Sequence, residues 1–225
     1  MDVLAKLDQT RADISVLEHP FYERWSAGEL SAEELALYAA EYRRAVLALA
    51  RASALAAEKA GPAHAARLRR HAEEEAAHVA LWERFASASG ARADADGGER
   101  ALEETDECVR AWTAGEDLLE HLAVLYAIEA SQPEVSRTKL DGLSAHYGYS
   151  EEGPAVEYFR LHEHRDREHA EEARELIARL MSDVHDGGEM AARMVHRARA
   201  ALRGNWRLLD GVEAVASAAT APAGA

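Results

Sequence analysis

Apolar residues recur along this chain with the period of a helix. Leu35, Tyr38, Tyr42, Val46 and Leu49 fall on one helical face. Ser31-Ala32-Glu33-Glu34 just ahead of them is a capping box, with Ser31 as N-cap and Glu34 reaching back. Gly61-Pro62 stops this helix near residue 60, and Pro62 opens the next, which runs to about 89. Leu118, Leu122 and Leu125 mark another stripe after Gly115, and Pro133 is expected to kink that helix before it continues to about 146. The pattern predicts about seven helical stretches. They include 2–18, a short piece carrying Phe21, Tyr22 and Trp25, a segment ending near 113, the segment 154–183, and a last helix ending near 215. Segments 90–98 and 148–154 read as loop and turn. No segment has strand alternation or a hairpin signal. The expected architecture is all-α, a single domain over 1–217 with a flexible small-residue tail over 218–225.

Composition narrows the function classes. The 225 residues are 48% hydrophobic, enough for a sizeable core. Forty-one acidic against 26 basic side chains give a net charge of −15. That balance disfavours nucleic acid, which needs a cationic face, and binding to anionic membranes. The single cysteine, Cys108, precludes an intramolecular disulfide framework. The opening Met1-Asp2-Val3-Leu4 lacks a basic n-region and a long apolar h-region, and no apolar run approaches a membrane span. A cytoplasmic protein is expected.

The chemistry concentrates in His162-Glu163-His164-Arg165-Asp166-Arg167-Glu168-His169. His162, Asp166 and His169 stand at i, i+4 and i+7, which a helix returns to one face. Two imidazoles and a carboxylate on one stripe suit iron or manganese. Alone the run also reads as a solvated charged face, but two other segments offer matching groups. Glu75 and His78 form a Glu-x-x-His pair; Glu74, at i−4 from His78, is a credible substitute for Glu75, and His71 lies one turn back on the same side. Glu129 ends the most apolar short run of the chain, and a carboxylate so placed needs a partner, an arginine or a metal. Three carboxylates and three histidines suit two first-row metal ions, Fe/Fe or Fe/Mn, with positions left for O2. The ligand order departs from ferritin-like bundles, which carry Glu-x-x-His on two helices, and so points to a different helical scaffold.

Motifs spread over nearly the whole chain support a resemblance. They are His19-Pro20-Phe21-Tyr22-Glu23-Arg24-Trp25, Tyr38 to Tyr42, His78-Val79-Ala80-Leu81-Trp82, Leu125 to Pro133, Lys139, Tyr158-Phe159 and Trp206-Arg207-Leu208-Leu209-Asp210-Gly211. With the metal motif, they resemble the haem-oxygenase-like di-metal oxidases and oxygenases, relatives of the TenA thiaminases and of pyrroloquinoline-quinone synthase. Within that group the chain is most similar to the para-aminobenzoate synthase branch, which includes the chlamydial protein associating with death domains and serves folate biosynthesis. The resemblance implies a haem-oxygenase-like bundle, two iron ions or an Fe/Mn pair, O2 and an external reductant. It also implies that the enzyme consumes one of its own tyrosines, matched here by Tyr22, with Lys139 as amino donor. Tyr38, Tyr42, Tyr126 and Tyr158 are expected around a pocket between the helices. Ile128 departs from the branch, where a tyrosine commonly precedes the glutamate, and the spacing from Glu75 to His78 is shorter.

Other functions stay open at this level. A di-iron oxygenase acting on an external amino acid or fatty acid needs the same metal set. A TenA-like hydrolase rests on a cysteine nucleophile, and Cys108 sits on a polar segment far in sequence from the ligand helices. A cofactor-free oxidase has no use for six ligands, and an interaction protein needs a partner surface that the charge pattern does not mark. A homodimer is expected from the resemblance and because symmetric dimers are the commonest oligomers.

Overall fold

The computed structural model describes residues 2–91 and 101–220. Among them the chain forms nine α-helices and one short 3-10 turn: α1 (Val3–Asp13), the turn (Val16–Glu18), α2 (Pro20–Ala27), α3 (Ala32–Lys59), α4 (Pro62–Ala88), α5 (Glu103–Thr113), α6 (Leu118–Glu129), α7 (Gln132–His146), α8 (Glu157–Met181) and α9 (Gly187–Thr220).

The all-α expectation holds, with more breaks than the pattern implied. The stretch 2–18 is two elements, because the chain leaves the helix at Ile14 and re-forms as the 3-10 turn. His19 before Pro20 is extended, as the proline ring demands. Pro133 does not kink one long helix. α6 ends at Glu129 and α7 starts at Gln132, with Pro133 in its first turn, where a missing N–H costs nothing. The last helix runs through Thr220, so 216–220 are helical rather than tail. Residues 92–98 of the expected loop and 221–225 of the expected tail lie outside the described residues.

α6 is the axis of the bundle. Every residue from Leu119 to Glu129 is buried, and a helix covered on all sides is a core helix. It packs against α8, α9 and α3, while α4 lies along α3 and touches α8. The capping box at Ser31 is formed in both directions, Glu34 N–H to Ser31 Oγ at 3.2 Å and Ser31 N–H to Glu34 Oε2 at 2.7 Å.

Two motifs at opposite ends of the chain meet here. The His19 ring caps α2, with Nδ1 accepting from the Phe21 N–H at 3.0 Å, and its Nε2 donates to Asp210 Oδ1 of α9 at 3.1 Å. This clamp, with Trp206 edge-on to His19, sets α2 against the bundle. Gly142 of α7 lets α2 approach closely, since a Cβ there would lie 2.5 Å from the Trp25 ring. Trp25 Nε1 then donates to the Lys139 carbonyl at 3.3 Å. These contacts bring Tyr22 on α2 and Lys139 on α7 into one region.

Candidate metal centre

α4 and α8 face each other through matching stripes. On α4 the stripe is Leu68, His71, Glu75, His78, Trp82 and Phe85; on α8 it is Phe159, His162, Asp166, His169, Ala173 and Leu176. Both follow the 3, 4, 3, 4, 3 spacing of a helix–helix contact face. Each stripe is apolar at its ends and polar in the middle. The polar middles meet: the His71 and His169 rings are 4.2 Å apart, and the His78 and His162 rings 4.7 Å apart. Glu75 Oε1 is 3.1 Å from His78 Nδ1 and 3.6 Å from His169 Nδ1, while Glu75 Oε2 is 3.9 Å from His162 Nε2. Asp166 Oδ1 is 3.7 Å from His169 Nδ1. From α6, Glu129 Oε1 reaches to 2.9 Å from His71 Nε2.

The structure therefore brings all six expected side chains, Glu75, His78, Glu129, His162, Asp166 and His169, to one buried place. It adds His71, whose spacing to Glu75 and His78 repeats that of the α8 motif. Helix phase puts His71 on the ligand side of α4, and the repeated spacing is the sequence signal that marks it as a further donor. Of the two candidate glutamates, Glu75 points inward, 3% exposed. Glu74 turns outward, where Arg165 Nη2 donates to its Oε2 at 2.6 Å.

The surroundings prepare these atoms for a cation. His162 Nδ1 donates to the Tyr158 carbonyl at 2.7 Å, and His169 Nε2 donates to Glu74 at 3.1 Å. Each bond fixes a tautomer and leaves the other ring nitrogen facing inward as a lone pair. Glu75 Oε1, His78 Nδ1, both Glu129 oxygens, His162 Nε2, both Asp166 oxygens, His169 Nδ1 and His71 Nε2 are buried, and none makes a well-formed hydrogen bond. So many orphaned buried atoms in one place are costly unless a cation takes them up. Glu129 also closes the C-terminus of α6, where the helix dipole repels a carboxylate and favours a positive charge. Burial, with the nearby Glu75 and Glu129 charges, pushes the Asp166 carboxyl well above its ordinary range. Burial alone would raise Glu75 too, but contacts with His162 and His78 hold it below the usual carboxylate range. At His71 burial works against protonation, yet the Glu129 charge carries it up to about 9. The donor set fits first-row metal ions held by imidazole and carboxylate. Groups of three with ligand atoms within 4.8 Å are His71/Glu129/His169, Glu75/His78/His162 and Glu75/Asp166/His169.

A packed group of aromatic rings adjoins this cluster. Tyr158 stacks on His162 at 4.0 Å, and Trp82 contacts Tyr158 and Phe159 at 5.0 and 5.8 Å. The Lys139 ammonium group, 1% exposed, lies 4.6 Å from the Tyr42 ring, 5.3 Å from Tyr38 and Phe159, 5.7 Å from Trp82 and 5.8 Å from Tyr22. Burial pushes its amine down to about 7. It likewise drives the Tyr22, Tyr38 and Tyr158 phenols well up, so they stay protonated. Tyr126 does not join this group. Its hydroxyl donates to Asp8 at 2.5 Å and accepts from Arg174 at 2.7 Å, on the side of α6 facing α1 and α8. Tyr126 stands one turn before Glu129 on α6, but its hydroxyl is held by Asp8 and Arg174 and so does not reach the Lys139 rings. Cys108 is not on a polar surface either. It is fully buried beside Gly204, and burial pushes its thiol well up, the opposite of an activated nucleophile.

The family model for iron-containing redox enzymes matches residues 37–206. The chain belongs to that family. As an iron-containing redox enzyme it is an oxidoreductase. It is 31% identical over 198 residues to the 4-aminobenzoate synthase of Chlamydia trachomatis, covering 83% of this chain and 84% of that one. To the 4-aminobenzoate synthase of Nitrosomonas europaea it is 29% identical over 218 residues, 88% and 85% of the two chains. A haem-oxygenase-like domain of unknown function from Shewanella denitrificans superposes with a TM-score of 0.81 at 21% identity, covering 99% of this chain and 97% of that one. The TenA homologue of P. horikoshii superposes at 0.74 with 17% identity, over 94% and 98%. The redox enzyme thus has the haem-oxygenase-like fold, and no helix among its described residues is long and apolar enough to cross a membrane.

Proposed function

We propose that this chain is a non-haem di-metal oxidoreductase, Fe/Fe or Fe/Mn, that makes para-aminobenzoate from its own Tyr22 with Lys139 as nitrogen source. The observation that carries the reading is the burial of an amine among tyrosines, one ring stack away from a cluster of orphaned metal-ligand atoms. The names of its relatives in Chlamydia and Nitrosomonas point the same way.

Glu75, His78, Glu129, His162, Asp166 and His169 would hold the metal pair. When bound, the pair would supply the oxidising power, drawn from O2 and an external reductant, for cleaving the tyrosine side chain while its aromatic ring stays intact. The protein's own groups do the rest. Tyr158, stacked on His162, and Trp82, beside Lys139, link the ligand cluster to the amine. The low amine pKa keeps a share of Lys139 neutral near pH 7, with a lone pair free for nitrogen transfer. Edge-to-face and tilted ring contacts of 4.8 to 5.9 Å among Phe21, Tyr22, Tyr38 and Trp25 hold the ring rigidly and keep water out.

The test is aerobic turnover with iron and reductant, followed by intact mass, peptide mapping and assay of released para-aminobenzoate. Tyr22 and Lys139 should be modified, and Tyr22→Phe and Lys139→Arg should lose product while retaining metal. Tyr42 is the ring nearest the amine, so Tyr42→Phe is the necessary comparison. Loss of modification in Tyr42→Phe alone would move the ring source to Tyr42. Normal turnover in both tyrosine variants would leave a di-metal enzyme acting on an external substrate. The same reading carries a homodimer in the cytoplasm, with sedimentation velocity as its check.

A further inference from the structure

We infer that His71 is a seventh ligand, and that the centre consists of two matched 2-His-1-carboxylate sites. One comprises His71, His169 and Glu129. The other comprises His78, His162 and Glu75, and Asp166 stands between the two. The inference rests on the di-metal reading and deepens it.

The first support is symmetry. His71-x-x-x-Glu75-x-x-His78 on α4 and His162-x-x-x-Asp166-x-x-His169 on α8 have identical spacing. The helices run so that His71 meets His169 and His78 meets His162. Glu75, in the middle of its motif, touches His169 and His162 of the other helix at 3.6 and 3.9 Å. Each end of the arrangement therefore offers two imidazoles, one from each helix, and a carboxylate beside them.

The second support is the aim of His71 itself. Its side chain is only 11% exposed, and Nε2 lies 2.9 Å from Glu129 Oε1 and 4.0 Å from Glu75 Oε1. His71 Nε2 and both Glu129 oxygens are nevertheless left without a properly oriented hydrogen bond. A histidine that served only to orient Glu129 would donate to it in line. Here nitrogen and oxygen converge on common space, with ligand atoms of His71, Glu129 and His169 all within 4.8 Å of one another. Without His71, that end keeps one histidine while the other keeps two. With it, both ends present the ligand set that leaves iron(II) open positions for O2.

A third feature is a small cavity beside His71. A narrow cavity of about 10 Å³ is lined by His71 and His169 together with Arg67, Leu68, Leu122, Leu125 and Glu172. That is room for about one water-sized molecule.

The experiment uses the full chain, wild type against His71→Ala and His71→Gln, with His169→Ala as a ligand control and the exposed His164→Ala as a surface control. Each protein is loaded anaerobically with iron-57(II) and desalted. Iron per chain and the Mössbauer spectrum are then measured, with circular dichroism reporting the fold. Wild type and His164→Ala should hold two irons with closely similar quadrupole doublets. His71→Ala should lose one of the two, or bind it at least tenfold more weakly, and free imidazole should restore it. His71→Gln tests the same loss with the cavity filled. Two irons with a wild-type spectrum in both His71 variants would overturn the seventh ligand and leave the di-metal reading intact. Absence of iron from wild type would overturn both.

Discussion

Replacing Lys139 with methionine tests the most unusual group in this protein. Methionine keeps the length and apolar stem of lysine and removes only the amine. Burial pushes that amine from the ordinary 10.5 to about 7. The unfolded chain therefore binds more protons than the folded chain between pH 7 and 10.5, and stability rises with pH across that window. The penalty is complete below pH 7 and absent above 10.5. The difference of 3.5 units, at 1.36 kcal/mol each, amounts to about 5 kcal/mol. Ring faces oppose it: well-placed desolvated faces return about 0.5–2 kcal/mol each, so 5 kcal/mol is a ceiling. Lys139→Met has no such term. Urea unfolding of both proteins at half-unit steps from pH 6 to 10.5 gives the comparison, and subtracting one curve from the other removes all other titrations. The variant should be the more stable at pH 6, with its advantage shrinking by up to about 1.4 kcal/mol per pH unit above 7. A difference that stays flat with pH, or a wild type favoured at low pH, would show that the aromatic faces hold the ammonium form. The neutral amine invoked for nitrogen transfer would then be lost as well.

Glu75→Ala should lose far more bound iron than Glu74→Ala, because Glu75 is turned into the cluster and Glu74 onto Arg165; equal losses or the reverse order refute this helix phase. Tyr126→Phe should leave iron content and product unchanged and cost about 1 kcal/mol in stability, the usual worth of a hydrogen bond, since its partners are Asp8 and Arg174. Gly142→Ala puts a Cβ 2.5 Å from the Trp25 ring, and such overpacking costs about 1–3 kcal/mol. A thermal scan should show the drop in Tm, and an unchanged midpoint would mean that α2 and α7 separate more easily than their contact implies.

Much of this protein is local and therefore legible without coordinates. The capping box at Ser31, the stop at Gly61-Pro62 and the helical stripes depend on a few neighbouring residues. So does the His162/Asp166/His169 face, because the helical period alone brings those positions together. The i, i+3 spacing to His78 favours Glu75 over Glu74, some 100° away, and the packing of α4 against α8 turns Glu75 inward. Two outcomes could not be read this way. Pro133 is compatible with a kink or with the first turn of a new helix. The break puts Glu129 at a helix C-terminus. Lys139 carries nothing in its neighbourhood that marks it as buried among five rings, since those rings come from α2, α3, α4 and α8.

The sequence by itself determined the helical class, the main caps and the donor chemistry, for each follows from side-chain type and a fixed rise and turn per residue. The tertiary structure decided which of those donors converge, His71 among them, and which tyrosines surround the amine. The physical reason is distance along the chain. Positions 71, 129 and 169 share no backbone geometry, so their meeting depends on how apolar faces of separate helices pack, and that is a property of the whole core.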